Sequence, residues 1–166
     1  CAILTDTLIL QSTTTTDTDR EMAEYLSNIT NLDIPTLGEE IISAGSRIGG
    51  RSSSEVIRQD MKEYSEGKLV YTVSQIEVSN LKEILDRKGE FLGELEIERR
   101  SNKAVFAALL VTDITQLSSV LLIEYDEKFK PFITFPKLEE NIYFLKDVVS
   151  RKKQLIPLIT EQVENF

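Results

Sequence analysis

The segment AVFAALLVTDI, residues 104–114, constrains the fold more than any other stretch of the sequence. It is a continuous apolar run bounded by Lys103 and Asp113, and a strand of that kind has to be covered on both faces. SSVLLIEY (118–125) and FITF (132–135) read as its neighbours, while MKEY (61–64) and KLVYTVSQIEV (68–78) read as two strands joined across Glu66 and Gly67. In the second of these, Tyr71, Val73 and Gln75 alternate with Val70, Thr72 and Ser74, so both faces are semi-apolar. The expected class is α/β, a mixed sheet of about five strands flanked by helices.

Helices bracket these strands. Thr18 followed by Glu21 predicts a capping box for a helix through about Asn28, after the polar run STTTTDTD. A second helical pattern carries Leu37, Ile41 and Ile42 and ends at Gly45. SAGSRIGGRSSS (43–54) is flexible by composition and reads as a linker, with Ser52 and Glu55 capping a short helix beyond it. Asn80 and Glu83 predict the start of a long helix to about Arg100, with Leu81, Ile84, Leu85, Leu92 and Leu95 on its apolar face and its charges solvated. The last segment runs from IYFLKDVV into a terminal helix whose face would carry Leu155, Leu158, Ile159 and Phe166, with Pro157 near its start.

Charge and composition then exclude function classes. The formal net charge is -9, which disfavours nonspecific nucleic-acid binding, so any anion site has to be local. There is no histidine, which removes imidazole metal ligands and histidine bases from this chain. The single cysteine, Cys1, cannot form an internal disulfide, and no stretch reaches the length of a membrane span, so a cytoplasmic protein is expected. The opening Cys1-Ala2-Ile3-Leu4 starts in mid-run without an initiator Met or a targeting signature, and reads as a truncation.

The sharpest local feature is Ser150-Arg151-Lys152-Lys153-Gln154, at the junction of a strand and the terminal helix. Cations at that end oppose the helix dipole, and an anion would account for them: amides, a hydroxyl, a guanidinium fork and ammonium groups together suit a phosphate. A solvated basic start to a surface helix is the competing reading.

SRKKQ followed by an apolar run and Pro157 is similar to the carboxy-terminal signature of the manganese-dependent (family II) inorganic pyrophosphatases, of the DHH phosphoesterase superfamily. Asp60-Met61-Lys62-Glu63-Tyr64 resembles that family's Asp-x-Lys-x-aromatic motif, and AILTDTLIL with the serine and threonines after it resembles the stretch whose Asp binds the catalytic metals. The resemblance spans Asp6 to Pro157 and implies roles residue by residue. Lys62, Arg151 and Lys152, with Ser150, would bind pyrophosphate or another phosphoanhydride and serve catalysis, Asp6 would be a metal ligand, and Lys153 and Gln154 would support the helix. It implies Mn²⁺, with Co²⁺ or Mg²⁺ as alternatives, in an enzyme that hydrolyses pyrophosphate to two phosphates by metal-activated water.

It also implies an organisation: residues 1–45 as the last elements of a DHH metal-binding domain, 46–51 as a hinge, and 52–166 as the second DHH-associated, substrate-binding domain. The DHH motif and the other metal ligands are not in this chain, so the fragment alone is expected to be inactive, and a homodimer would form through the absent domain. Two rivals stand beside this reading: an exopolyphosphatase or prune-like phosphoesterase of the same superfamily, and a noncatalytic anion-binding module.

Overall fold

The computed structural model describes residues 2–12, 14–45, 48 and 50–164. They form two compact units, Cys1–Arg47 and Ile48–Phe166. Of the expected hinge at 46–51, Ser46, Arg47 and Gly49 lie outside the described residues.

The first unit is helical: α1 (Ala2–Asp6), α2 (Asp17–Thr30) and α3 (Ile34–Gly45). The α2 cap is not Thr18 but Thr16, whose hydroxyl accepts from Asp19 N–H while the Asp19 carboxylate accepts from Thr16 N–H. Starting earlier places Asp17 and Asp19 in the first turn, where the helix dipole favours negative charge. Between α1 and α2 the buried Thr7 ties the chain locally, its hydroxyl donating to Ile3 O and accepting from Leu10 N–H. Leu8, Ile9 and Leu10 all take left-handed backbone angles, which cost β-carbon-bearing residues energy unless the surroundings hold them.

In the second unit α4 (Ser53–Gln59) leads into a sheet built from β1 (Met61–Glu66), β2 (Leu69–Val78), β3 (Phe106–Asp113), β4 (Ser118–Tyr125), β5 (Lys137–Glu139) and β6 (Ile142–Leu145). Ser52 and Glu55 cap α4 as expected. The order is β1-β2-β3-β4-β6-β5, with β2 and β3 parallel and every other pair antiparallel, so the mixed sheet has one strand more than expected. The parallel pair requires a crossover, supplied by α5 (Lys82–Asp86) and α6 (Lys88–Ser101).

The continuous apolar run is the buried β3, every residue of which is shielded. Ala107, Leu109 and Val111 face Val56, Ile57, Ile84, Phe91 and Leu95 from the helices on one side. Phe106, Ala108 and Leu110 face the other side, where Leu155, Ile159 and Val163 of the terminal segment close the core. Burial on both faces explains why this strand shows no polar alternation.

Several expectations are corrected. The long helix from Asn80 is two helices, because Arg87 leaves helical angles and donates from Nη2 to Arg51 O; the Asn80 side chain accepts from Lys82 N–H. Glu98 is not solvated but buried, bonded to Arg58 and Asn102. FITF is not a strand. Pro131 and Pro136 remove backbone donors on either side of it, and Phe132, Ile133 and Phe135 pack against the core from an irregular segment. The terminal helix α7 (Ile156–Glu164) has Pro157 in its first turn, but its inward face is Ile159 and Val163, continued by Leu155 just before it, with Leu158 exposed and Phe166 outside the described residues.

Candidate functional site

The candidate site is assembled on the sheet face that α7 covers, at the edge formed by β1 and β2. The Lys62–Val73 and Tyr64–Tyr71 pairs put Lys62 on the same face as Val73 and Tyr71, both part of the core beneath α7. Gln75, two residues beyond Val73, shares that face. The chain leaves β6, passes Val148 and Val149, and enters a π-helical turn at Arg151–Leu155 before α7 begins. Ser150 caps this turn: its backbone is extended and its hydroxyl accepts from Lys153 N–H at 3.3 Å, while Ser150 O receives Gln154 N–H at 3.0 Å and Leu155 N–H at 3.1 Å. Wide turns of this type concentrate at functional sites.

Arg151 is the centre of the arrangement. It is 5% exposed, and its guanidinium reaches back across the sheet edge to residues far away in sequence. Nη1 donates to Asp60 O and to Val73 O, the latter at 3.0 Å, and Nη2 lies 3.0 Å from Asp60 Oδ1. A guanidinium carries five N–H donors in a fixed fork. The bonds to Asp60 and Val73 use both Nη1 hydrogens and one on Nη2, leaving the Nε edge without a partner among the described residues. That edge is a two-donor fork suited to a phosphate or carboxylate.

Lys152 and Lys62 are exposed, and neither forms an ion pair among the described residues. Against a net charge of -9, such unpaired cations beside Arg151 make a local positive region on an acidic protein. Lys153 is likewise exposed. The structure therefore brings Lys62, Ser150, Arg151 and Lys152 to one sheet edge, with Asp60 as the carboxylate that orients the arginine.

Asp6 belongs to the first unit. It is exposed at the end of α1, and its backbone carbonyl accepts from the Thr14 hydroxyl at 3.3 Å. Among the described residues no three His, Cys, Asp or Glu side chains converge to hold a metal ion. One carboxylate does not make a Mn²⁺ site, so the described donor set does not fit the metal by itself.

Sequence reasoning gave Gln154 a supporting role but missed Gln75, Thr112 and Ser119, which hold the approach to the cationic turn. Gln75 Oε1 accepts from Arg151 N–H at 3.1 Å, and its Nε2 donates to Val149 O at 3.1 Å and to Thr112 Oγ1 at 3.3 Å. The buried Ser119 hydroxyl donates to Val148 O at 2.6 Å and lies 3.1 Å from Thr112 Oγ1. Gln154 Oε1 accepts from Val149 N–H and Ser150 N–H, and its Nε2 donates to Asp147 O. The only local signal was a polar residue on the core-facing side of each strand, at Gln75, Thr112 and Ser119.

Comparison with known proteins shows the family. The curated relatives include proteins of Lactobacillus delbrueckii subsp. bulgaricus, 35% identical over 98% of this chain, and of Staphylococcus epidermidis, 36% identical over 96%. Both are named "Probable manganese-dependent inorganic pyrophosphatase". The chain spans about half their length, 53% and 52% respectively. A crystal structure of a Methanococcus jannaschii protein assigned to the family II inorganic pyrophosphatases superposes with a TM-score of 0.86 at 30% identity, over 98% of this chain and 53% of that one. No described helix is long and apolar enough to cross a membrane. The model of the DHHA2 domain matches residues 39–162, which contain the whole cationic turn and its supports, and the chain belongs to that family.

Proposed function

We propose that this chain is the substrate-gripping part of a manganese-dependent inorganic pyrophosphatase, and that Lys62, Ser150, Arg151 and Lys152 hold the phosphates of pyrophosphate. The observation that carries the reading is the Arg151 guanidinium, fixed by Asp60 and Val73 with its Nε edge unpartnered beside two unpaired lysines. Fixed donors of this kind neutralise charge on a phosphoanhydride, and the arginine pays little ordering entropy because its fork is already held. The names of the relatives favour pyrophosphate over a polyphosphate chain.

Manganese would be held by the longer protein, with Asp6 as one ligand. The described residues complete no metal site, so their contribution is binding and orientation. Residues up to about Gly45 would belong to the metal-binding domain and those from about Ser52 to the substrate domain, in a cytoplasmic enzyme.

The test is calorimetric titration of the 166-residue chain with pyrophosphate, alongside sulfate as an anion control. Pyrophosphate binding that weakens in Lys152→Ala supports the reading. Absence of binding, or equal affinity for sulfate, overturns it. For the longer protein, Mn²⁺-dependent phosphate release from pyrophosphate should exceed that from long polyphosphate, and Arg151→Ala should abolish most of it.

A further inference from the structure

We infer that Gln75 is the positioning residue of the cationic turn, its side-chain amide standing in for a strand backbone so that Arg151 faces the anion in one fixed direction. The inference deepens the reading just given and rests on it.

The argument begins with which groups Gln75 bonds. In a parallel β-bridge, one residue's N–H donates to the carbonyl before its partner and its C=O accepts from the N–H after it. The Gln75 side chain reproduces this pair around Ser150: Nε2 donates to Val149 O and Oε1 accepts from Arg151 N–H, each at 3.1 Å. β1 pairs with β2 only as far as Ser74, so Gln75 lies just beyond the β1 register, and its side-chain amide rather than a strand backbone meets the turn there. Thr112 and Ser119 continue the chain of bonds into β3 and β4, ending at Val148 O. Val148 is therefore tied to β4 through Ser119, and Val149 and Arg151 to β2 through Gln75, with Thr112 of β3 linking the two anchors.

Neighbouring bonds give this clasp its consequence. Val73, on the same strand and face as Gln75, takes the Arg151 guanidinium on its carbonyl, so β2 holds Arg151 at its backbone through Gln75 and at its side-chain tip through Val73. A side chain held at both ends has one orientation, and the unpartnered Nε edge is aimed by it. Gln154 completes the clasp from within the turn by accepting Val149 and Ser150 N–H. Gln75 itself need not touch the anion. It acts through Arg151.

A double-mutant cycle tests this, using calorimetric titration of pyrophosphate into the wild-type chain, Gln75→Leu, Arg151→Ala and the double variant, with folding followed by circular dichroism. Gln75→Leu should weaken pyrophosphate binding by about tenfold, the scale set by losing the two of its three hydrogen bonds that reach the turn. In the Arg151→Ala background the same change should cost less than about twofold, because a residue acting through Arg151 has nothing left to position. If Gln75→Leu does not fold, Gln75→Glu carries the same cycle, since it keeps the acceptor for Arg151 N–H and loses the donor to Val149 O. Undiminished binding in the folded single variant, or a loss that adds in full to that of Arg151→Ala, overturns the inference while leaving the pyrophosphate reading intact. Failure of the wild-type chain to bind pyrophosphate overturns both.

Discussion

Asp60 and Arg151, 91 residues apart in sequence, form an ion pair in which the arginine side chain is 6% exposed and the aspartate 48%. The asymmetry separates their roles: the guanidinium is committed to the protein, while the carboxylate sits where solvent or a ligand can compete with it. Asp60→Ala would leave the buried guanidinium with carbonyl partners alone. Removing one partner of a fully buried pair is costly, but the exposure of Asp60 screens this one, so a loss of about 1–2 kcal/mol is expected. The urea midpoint of the second unit measures it, and an unchanged midpoint would show that the carbonyls suffice.

Lys62 and Lys152 are exposed and carry no ion pair among the described residues, so neither contributes appreciably to stability. Lys62→Ala and Lys152→Ala should each leave the melting temperature within about a degree of wild type while lowering pyrophosphate affinity about tenfold. The loss should shrink as salt rises from low to physiological concentration, because the lysines act as point charges. Equal affinities at low salt would remove the lysine from the site.

The first unit has its own sensitive point. A β-carbon on Gly38 would lie 2.7 Å from Ile9 Cδ1 and Cγ1 and 2.8 Å from Cγ2, closer than packed atoms tolerate. Ile9 has little room to retreat, because it sits in the left-handed run of Leu8, Ile9 and Leu10. Gly38→Ala should destabilise this unit by about 1–3 kcal/mol. The further cost should nearly vanish in an Ile9→Ala background, where the clashing atoms are gone. Limited proteolysis of the amino-terminal unit, with Ile48–Phe166 as the internal control, reports both.

Glu124 supplies a pH dependence. Burial, opposed by the Asn141 hydrogen bond, holds its carboxyl above the ordinary glutamate value, with the Glu96 charge adding to the shift. A raised carboxylate pKa means that the folded state disfavours the charged form. The penalty is absent below the unfolded value of 4.5, grows as pH rises through the folded value and is complete above it. Glu124→Gln keeps an oxygen for Asn141 and removes the charge. It should raise the melting temperature modestly at pH 7.5 and leave it unchanged at pH 3.5; a gain at both pH values would mean that charge is not the cause.

How much of this was legible depends on how local each determinant is. The Ser52–Glu55 cap, the hairpin across Glu66 and Gly67 and the buried strand at 106–113 all rest on short-range patterns, and they appear where the patterns put them. The Thr16 cap was misplaced by two residues because the polar run offers overlapping Thr-x-x-acid pairs, and only the folded helix selects one. FITF has strand composition but no donors to spare beside its prolines, so propensity pointed the wrong way there. SRKKQ was visible as a cationic cluster at a helix start. Nothing in its five letters showed that Arg151 is buried and the lysines are not.

The sequence by itself determined a mixed α/β sheet with a doubly covered central strand, an acidic surface, and a cationic turn before the last helix. These follow from hydrophobic periodicity, net charge and capping residues, all of which are read within a few positions of one another. Tertiary structure alone decided that Asp60, Val73 and Gln75 are the partners of Arg151, because hydrogen bonds across β1, β2 and the turn depend on strand order and register. The same register put Lys62 on the face that Arg151 occupies. A one-residue slip of β1 against β2 would have turned that lysine to the opposite side of the sheet, and no local pattern in the chain records which of the two was chosen.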